Sequence, residues 1–184
     1  MLCAPSQAQE VLLVLNNASF EGYPHDAITP NGWESCGYDS TPDILPGPWG
    51  VYQKPTDGNT FIGLISREDN TWEMIMQELV KPLDSEKCYK FSVSLSRSPT
   101  YAGYNKPLRL RIWGGNTPCE RKELLINSPT IDHYEWSEYT FMFSPIENYK
   151  YILIECYYKK ATLVPYRGNL LIDGITPFVE CDRA

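Results

Sequence analysis

The chain carries two histidines, and each has an aspartate beside it: His25 with Asp26 in YPHDA, and His133 with Asp132 in IDHYE. An imidazole beside a carboxylate is a pair that acid–base catalysis uses. Adjacent residues of an extended chain point to opposite sides, so neither dipeptide makes a dyad, and both histidines read as loop residues. G-x-S-x-G, H-E-x-x-H and phosphate-loop patterns do not occur. The glycine pair of WGGNTP reads as a turn. Carboxylates are plentiful, and a glycosidase needs two of them facing each other across roughly 5 to 10 Å. Nothing in the spacing of Glu73, Glu155 and Asp173 selects such a pair. The chain is therefore expected not to be an enzyme.

Aromatic and arginine side chains carry the stronger signal. Trp49, Trp72, Tyr101, Tyr104, Trp113 and Trp136 fall in loops, next to loops or on outward strand positions. Apolar faces of sugar rings stack on exposed aromatic rings, and sugar hydroxyls take polar partners such as Arg, Asp or Asn. For a single tryptophan the usual place is the core. Trp113 escapes that expectation best, because it alternates with Arg109 and Arg111 in LRLRIWG. Trp72, Arg97 and Tyr101 join the candidate ligand-binding set by loop proximity. Arg67 joins it because, like Arg97, it immediately follows an apolar run. Both arginines have a plainer alternative as partners of structural salt bridges, with Glu68 or Glu155 as the acids.

The elements that position these residues read as short strands. Turn signals such as PGPWG, PTDGN, LDSEK and GGNTP recur about every ten residues. Between them, 61–66, 89–96, 108–114, 139–144, 149–158 and 169–175 are alternating or apolar runs. Tyr89, Phe91, Val93 and Leu95 share one face, opposite Ser92, Ser94 and Ser96. Leu108, Leu110 and Ile112 share another, opposite Arg109, Arg111 and Trp113. Many short strands without alternating helices mean an antiparallel β-sandwich. One segment is ambiguous: in DNTWEMIMQELV, Trp72, Ile75, Met76, Leu79 and Val80 also fit helical spacing, and Asn70 with Glu73 would make a capping box.

Composition sets the outer bounds. The 184 residues suit one domain, with 42% apolar and 21% charged residues and a net charge of −7. That balance argues against a general phosphate-binding surface and hence against nucleic acid as a partner, and leaves room for a local basic patch. No apolar run is long enough for a membrane span. MLCAPSQAQE reads as the tail of an export signal over residues 1–9, leaving 10–184 as the domain. Six cysteines without a CxxC pair argue against zinc or a thioredoxin-like motif. With Cys3 set aside as part of the signal, two disulfides and one buried thiol account for the rest, and Cys156 in YILIECYY is the candidate thiol.

Several motifs then occur in order: NxSFEx near the start, GWESC at 32–36, DGNTFIGL, QELVKPLDSEKCYKFSVSLSRS at 77–98, LRIWGG, and LLIDGI near the end. The series resembles the galactose-binding-like jelly rolls of carbohydrate-binding modules. More narrowly, it is similar to the carbohydrate-binding-module-like domains of surface and envelope proteins from gliding, type IX-secreting Gram-negative bacteria. The resemblance implies an all-β jelly roll from about Asn17 onward and a strand rather than a helix over roughly 74–81. It implies a structural calcium at the sandwich edge held by Glu21 and Asp173 with backbone carbonyls. Ala18 stands where the family often has proline, and Gly174 follows Asp173 where many modules have a second acid. The plainer alternative has both acids accepting backbone N–H groups. The topology implies that Cys88 neighbours Cys181, which leaves Cys36 for Cys119. The function implied is an exported, non-catalytic module for carbohydrate, periplasmic, outer-membrane associated or extracellular. Its partner is a glycan or an envelope protein. The alternative is a structural or protein-interaction subunit of a secretion or gliding apparatus that reuses the fold.

Overall fold

Aromatic and β-branched residues at every second position favour a pleated surface that is buried on one side, and these runs fold as strands. The structure is a computed structural model describing residues 10–182. The export signal expected over residues 1–9, Cys3 included, lies outside the described residues.

Among the described residues twelve strands form: β1 (Val11–Leu13), β2 (Glu34–Cys36), β3 (Asp43–Leu45), β4 (Phe61–Ser66), β5 (Met74–Leu83), β6 (Tyr89–Ser96), β7 (Lys106–Gly115), β8 (Glu123–Asn127), β9 (Ser137–Phe143), β10 (Tyr149–Tyr158), β11 (Gly168–Asp173) and β12 (Phe178–Glu180). Among the described residues a single 3-10 turn spans Pro48–Gly50. The segment with helical spacing is strand β5. Its two faces explain the ambiguity. Ile75 and Leu79 enter the main core, while Met76 packs on the opposite side, so apolar residues recur at both spacings.

The strands form two layers of a jelly-roll sandwich. The first runs β3–β4–β11–β6–β9, with β12 also paired to β6 and β1 outside β12. The second runs β2–β5–β10–β7–β8. All these pairs are antiparallel, and a short parallel contact between β11 and β7 joins the layers at one end. The main core lies between them, where Phe91, Val93 and Leu95 of β6 face Leu110 and Ile112 of β7 and Ile152 and Ile154 of β10. All six residues of β4 and of β11 are buried. Their outward sides are covered by a second cluster of Leu45, Val51, Phe61, Ile65, Tyr101 and Leu171.

Two disulfides pin the loops, Cys36–Cys119 and Cys88–Cys181, and Cys156 is a buried free thiol. The first bridge holds the β7–β8 loop to β2, against the outer side of the second layer. No helix among the described residues is long and apolar enough to cross a membrane.

Candidate functional site

The outer side of the second layer holds the densest set of chemically capable side chains. The register between β10 and β7 places Leu153 opposite Trp113, Glu155 opposite Arg111, and Tyr157 opposite Arg109. Alternation sends all six outward, away from the main core. Met74 of β5 flanks Glu155 on its other side. Trp72 lies two residues before the start of β5, and Arg121 comes from the loop that Cys36–Cys119 draws in.

Glu155 organises this surface although it is itself fully buried. One carboxylate oxygen accepts the indole N–H of Trp113 at 2.8 Å and faces the Arg111 guanidinium at 3.1 Å. The other accepts the Trp72 indole N–H at 2.8 Å and an Arg121 N–H at 3.3 Å. A buried carboxylate requires this degree of compensation. The guanidinium of Arg111 lies 3.9 Å from the Tyr157 ring centroid and 5.1 Å from that of Trp113. Trp72 meets Tyr157 edge-on at 4.9 Å, with Arg121 5.6 Å from the Trp72 ring. One acid thus fixes two indoles and two guanidiniums, and the rings are held before any ligand arrives. Met76 and Leu153 support this face from beside it, packed with Cys36.

Two hollows flank the strip. One, of about 200 Å³, is lined by Asn70, Arg109, Tyr157, Lys159 and Thr162. The other, of about 170 Å³, is lined by Tyr38, Asn70, Thr71, Trp72 and Arg121. A larger hollow of about 500 Å³ lies elsewhere, beside Thr56, Asp57, Ser94 and Glu138, but no aromatic ring lines it. Stacking on a sugar face needs such a ring.

The remaining candidates are placed differently. Tyr101 is only 1% exposed and gives its hydroxyl to buried Asp43, so it is a core residue that no surface ligand reaches. Arg97 is spent on Asp132 at 2.7 Å, the Asn105 carbonyl and the Tyr134 hydroxyl. Arg67 pairs with buried Glu73 at 2.8 Å, and Glu68 pairs with Arg167. Neither arginine joins the Glu155 cluster. His133 bonds the Tyr139 hydroxyl and the Glu135 carbonyl, and His25 lies exposed beside Asp26. Sequence reasoning missed Glu155 as the centre, and missed Tyr157 and Arg121. For Glu155 and Tyr157 the signal was an outward alternation inside YILIECYY. For Arg121 it was nearness to Cys119.

Glu21 and Asp173 meet the same loop, residues 56–60, from two sides. Asn17, a residue with φ 48°, accepts the Glu21 N–H through Oδ1 at 2.7 Å and bonds back to the Glu21 carbonyl. This tight turn aims the Glu21 carboxylate at the N–H groups of Asn59 (2.9 Å) and Thr60 (3.1 Å). Gly58, with φ 62°, permits the approach, since a Cβ there would lie 2.2 Å from Glu21 Oε1. Asp173 Oδ2 accepts from Thr56 N (2.6 Å), Thr56 Oγ1 (2.8 Å) and Asp57 N (3.0 Å). Asp173 Oδ1 is buried without a partner, and burial pushes the carboxyl's pKa up. As a calcium site the fit is divided. Calcium takes about six to eight oxygens, and Asp173 Oδ1 is an oxygen a cation would satisfy, whereas both Glu21 oxygens are already engaged by amides. Among the described residues, no three His, Cys, Asp or Glu side chains converge as a metal-holding set.

No protein-family model matches the sequence, and no curated protein matches it. Solved structures do match in shape. The CBM22-1 xylan-binding domain from Paenibacillus barcinonensis Xyn10C is 13% identical, with a TM-score of 0.57, over 97% of this chain and 99% of that one. The CBM22-1–GH10 modules of Clostridium thermocellum xylanase 10B, complexed with xylohexaose, are 16% identical with a TM-score of 0.56; the match covers 96% of this chain and 29% of that one. The K1 cleaved adhesin domain of Lys-gingipain from Porphyromonas gingivalis W83 is 12% identical with a TM-score of 0.54, over 90% of this chain and 96% of that one. At these identities the likeness is one of fold, and the fold is that of carbohydrate-binding modules and adhesin domains.

Proposed function

We propose that this domain is a non-catalytic carbohydrate-binding module whose ligand lies along the outer side of the second layer, over Trp113, Tyr157 and Trp72. The observation that carries the reading is the buried Glu155 carboxylate, which holds both indoles and two guanidiniums in place. Rings fixed in advance lose little freedom on binding, which favours affinity. The shape likeness to a xylan-binding domain supports the class. Isothermal titration against a panel of plant, algal and bacterial polysaccharides tests it. We expect at least one ligand, with affinity lost by more than about tenfold in Trp113→Ala. Binding to no polysaccharide would sink the reading.

A second reading, a structural or protein-interaction subunit of a secretion or gliding apparatus, has its own support. The fold also matches an adhesin domain, and Leu163 and Val164 stand 96% and 73% exposed on the β10–β11 loop. Co-purification with outer-membrane components, lost on Leu163→Ser, would favour it. For location we propose export to the cell surface or envelope of a gliding, type IX-secreting bacterium. Two disulfides suit an oxidising compartment, and surface proteolysis of whole cells is the check.

Structural calcium remains part of the proposal, held by Asp173 through Oδ1 and by Glu21 in competition with the Asn59 and Thr60 amides. Added calcium should then raise the melting temperature in a concentration-dependent way, and Asp173→Asn should abolish the effect. An unchanged melting temperature in wild type would leave the two acids as amide anchors alone.

A further inference from the structure

The chain as a whole carries a net charge of −7, yet the proposed binding strip is basic. Arg109, Arg111, Arg121 and Lys159 border it, and the acid within it is Glu155. Arg111 and Arg121 face Glu155 and neutralise it. Asp69, next to Asn70, is turned into the N–H and hydroxyl of Thr71. Glu68 is paired with Arg167. The positive excess on the strip is therefore left without an internal counter-charge.

Arg109 shows this most plainly. Its Nε donates to the Tyr158 carbonyl at 2.8 Å, its guanidinium carbon lies 5.5 Å from the Tyr157 ring centroid, and it makes no ion pair among the described residues. Burial, and then the neighbouring Arg111, hold its pKa below the usual arginine range. Lys159 lines the same hollow of about 200 Å³ and likewise makes no ion pair among the described residues. A planar guanidinium with free N–H groups is the side chain best matched to a carboxylate, which it can grip through two parallel hydrogen bonds. Tyr157 beside it offers a ring face for the sugar carrying that carboxylate. A neutral sugar would occupy the hollow and leave both cations uncompensated.

We infer that the glycan bound here is a uronic acid polysaccharide, with one carboxylate seated between Arg109 and Lys159 and its pyranose ring against Tyr157. This rests on the carbohydrate-binding reading above and narrows it to an anionic ligand. The test uses polygalacturonate and alginate in calcium-free buffer. Fully methyl-esterified homogalacturonan keeps the backbone but lacks the charge; xylan serves as a neutral polymer and dextran sulfate as the sulfated one. A carboxylated polymer should bind at least about tenfold more tightly than the esterified or neutral ones. Its affinity should fall steeply at about 1 M salt, where the screening length shrinks to about 3 Å. Arg109→Gln and Lys159→Gln should each lose about tenfold or more, the exposed Lys159 substitution without change in melting temperature. Neutral or esterified polymer bound as well as the acid form would overturn the inference, as would binding indifferent to salt and to Lys159→Gln. In those cases loss of binding in Trp113→Ala would keep the module reading intact. Preference for dextran sulfate over both uronates would also overturn it. Binding to none of these polymers or of the wider panel would remove both readings together.

Discussion

Glu155 and the Glu21–Asp173 pair are carboxylates put to different uses by the kind of donor each faces. Glu21 and Asp173 receive mostly backbone N–H groups, all from residues 56–60, so they fix a loop's path. Glu155 receives side-chain donors only, from Trp72, Trp113, Arg111 and Arg121, so it fixes the poses of large side chains. An acid that holds backbone makes a joint between elements. An acid that holds rings and guanidiniums prepares a surface. The first arrangement is complete in itself apart from Asp173 Oδ1, whereas the second leaves aromatic faces partly open beside the unpaired Arg109.

The largest effect should come from removing Glu155. Glu155→Ala strands two guanidiniums and two indole N–H groups, and breaking a buried ion pair from one side costs about 3–5 kcal/mol. Chemical denaturation measures the stability loss. Tryptophan fluorescence should shift as Trp72 and Trp113 are freed, and glycan binding should vanish together with that shift. A Glu155→Ala protein that binds normally would show that the rings need no anchor, and the contrast between the two acid sets would fail.

Asp173→Ala should act on stability alone. It leaves the Thr56 and Asp57 donors unpaired, which costs about 1–3 kcal/mol. Gly58→Ala attacks the same joint from the opposite side. Its Cβ would clash with Glu21 Oε1, and its left-handed backbone adds a further ~1–2 kcal/mol. In both variants glycan affinity should stay at the wild-type value by titration. Weakened binding in either would mean that the loop and the binding strip are coupled.

What could be foreseen from sequence follows the same division. Arg109, Arg111 and Trp113 were legible because alternation along a strand depends on backbone geometry alone. Glu155 was not, because its outward neighbours Tyr151 and Leu153 are apolar and pack into a cluster of their own with Met76 and Cys36. Inward and outward residues of β10 therefore look alike, and only the cross-strand register brings Arg111 beside Glu155. Tyr101 follows a strand and resembles an exposed loop aromatic, yet its ring lies over Gly63, where a Cβ would come within 2.8 Å of the Tyr101 hydroxyl. That glycine in FIGLIS was the sign of a close approach, but nothing local named the partner. The disulfide pairing came from the resemblance to a known topology, and the structure contains both bridges.

Glu73 sharpens the comparison because it mixes the two modes and adds a pH dependence. Its Oε2 accepts the Ile65 N–H at 3.0 Å, and its Oε1 pairs with Arg67 at 2.8 Å and with the Thr41 hydroxyl at 3.1 Å. Complete burial outweighs these partners and pushes its pKa from 4.5 up to about 8. An unfolded chain releases this proton above about pH 4.5, while the folded protein keeps it until about pH 8. Over that window the folded state binds more protons, so its contribution to stability is complete at acid pH and is lost as pH rises towards 8. The melting temperature of the wild type should therefore fall between pH 5 and pH 9 by about 2–4 °C for each ~1 kcal/mol given up. Glu73→Gln, which cannot ionise, should flatten that part of the curve. Parallel curves for the two proteins would mean that Glu73 does not change its charge in this range. It would then stand with Glu155, as a buried carboxylate paired with arginine.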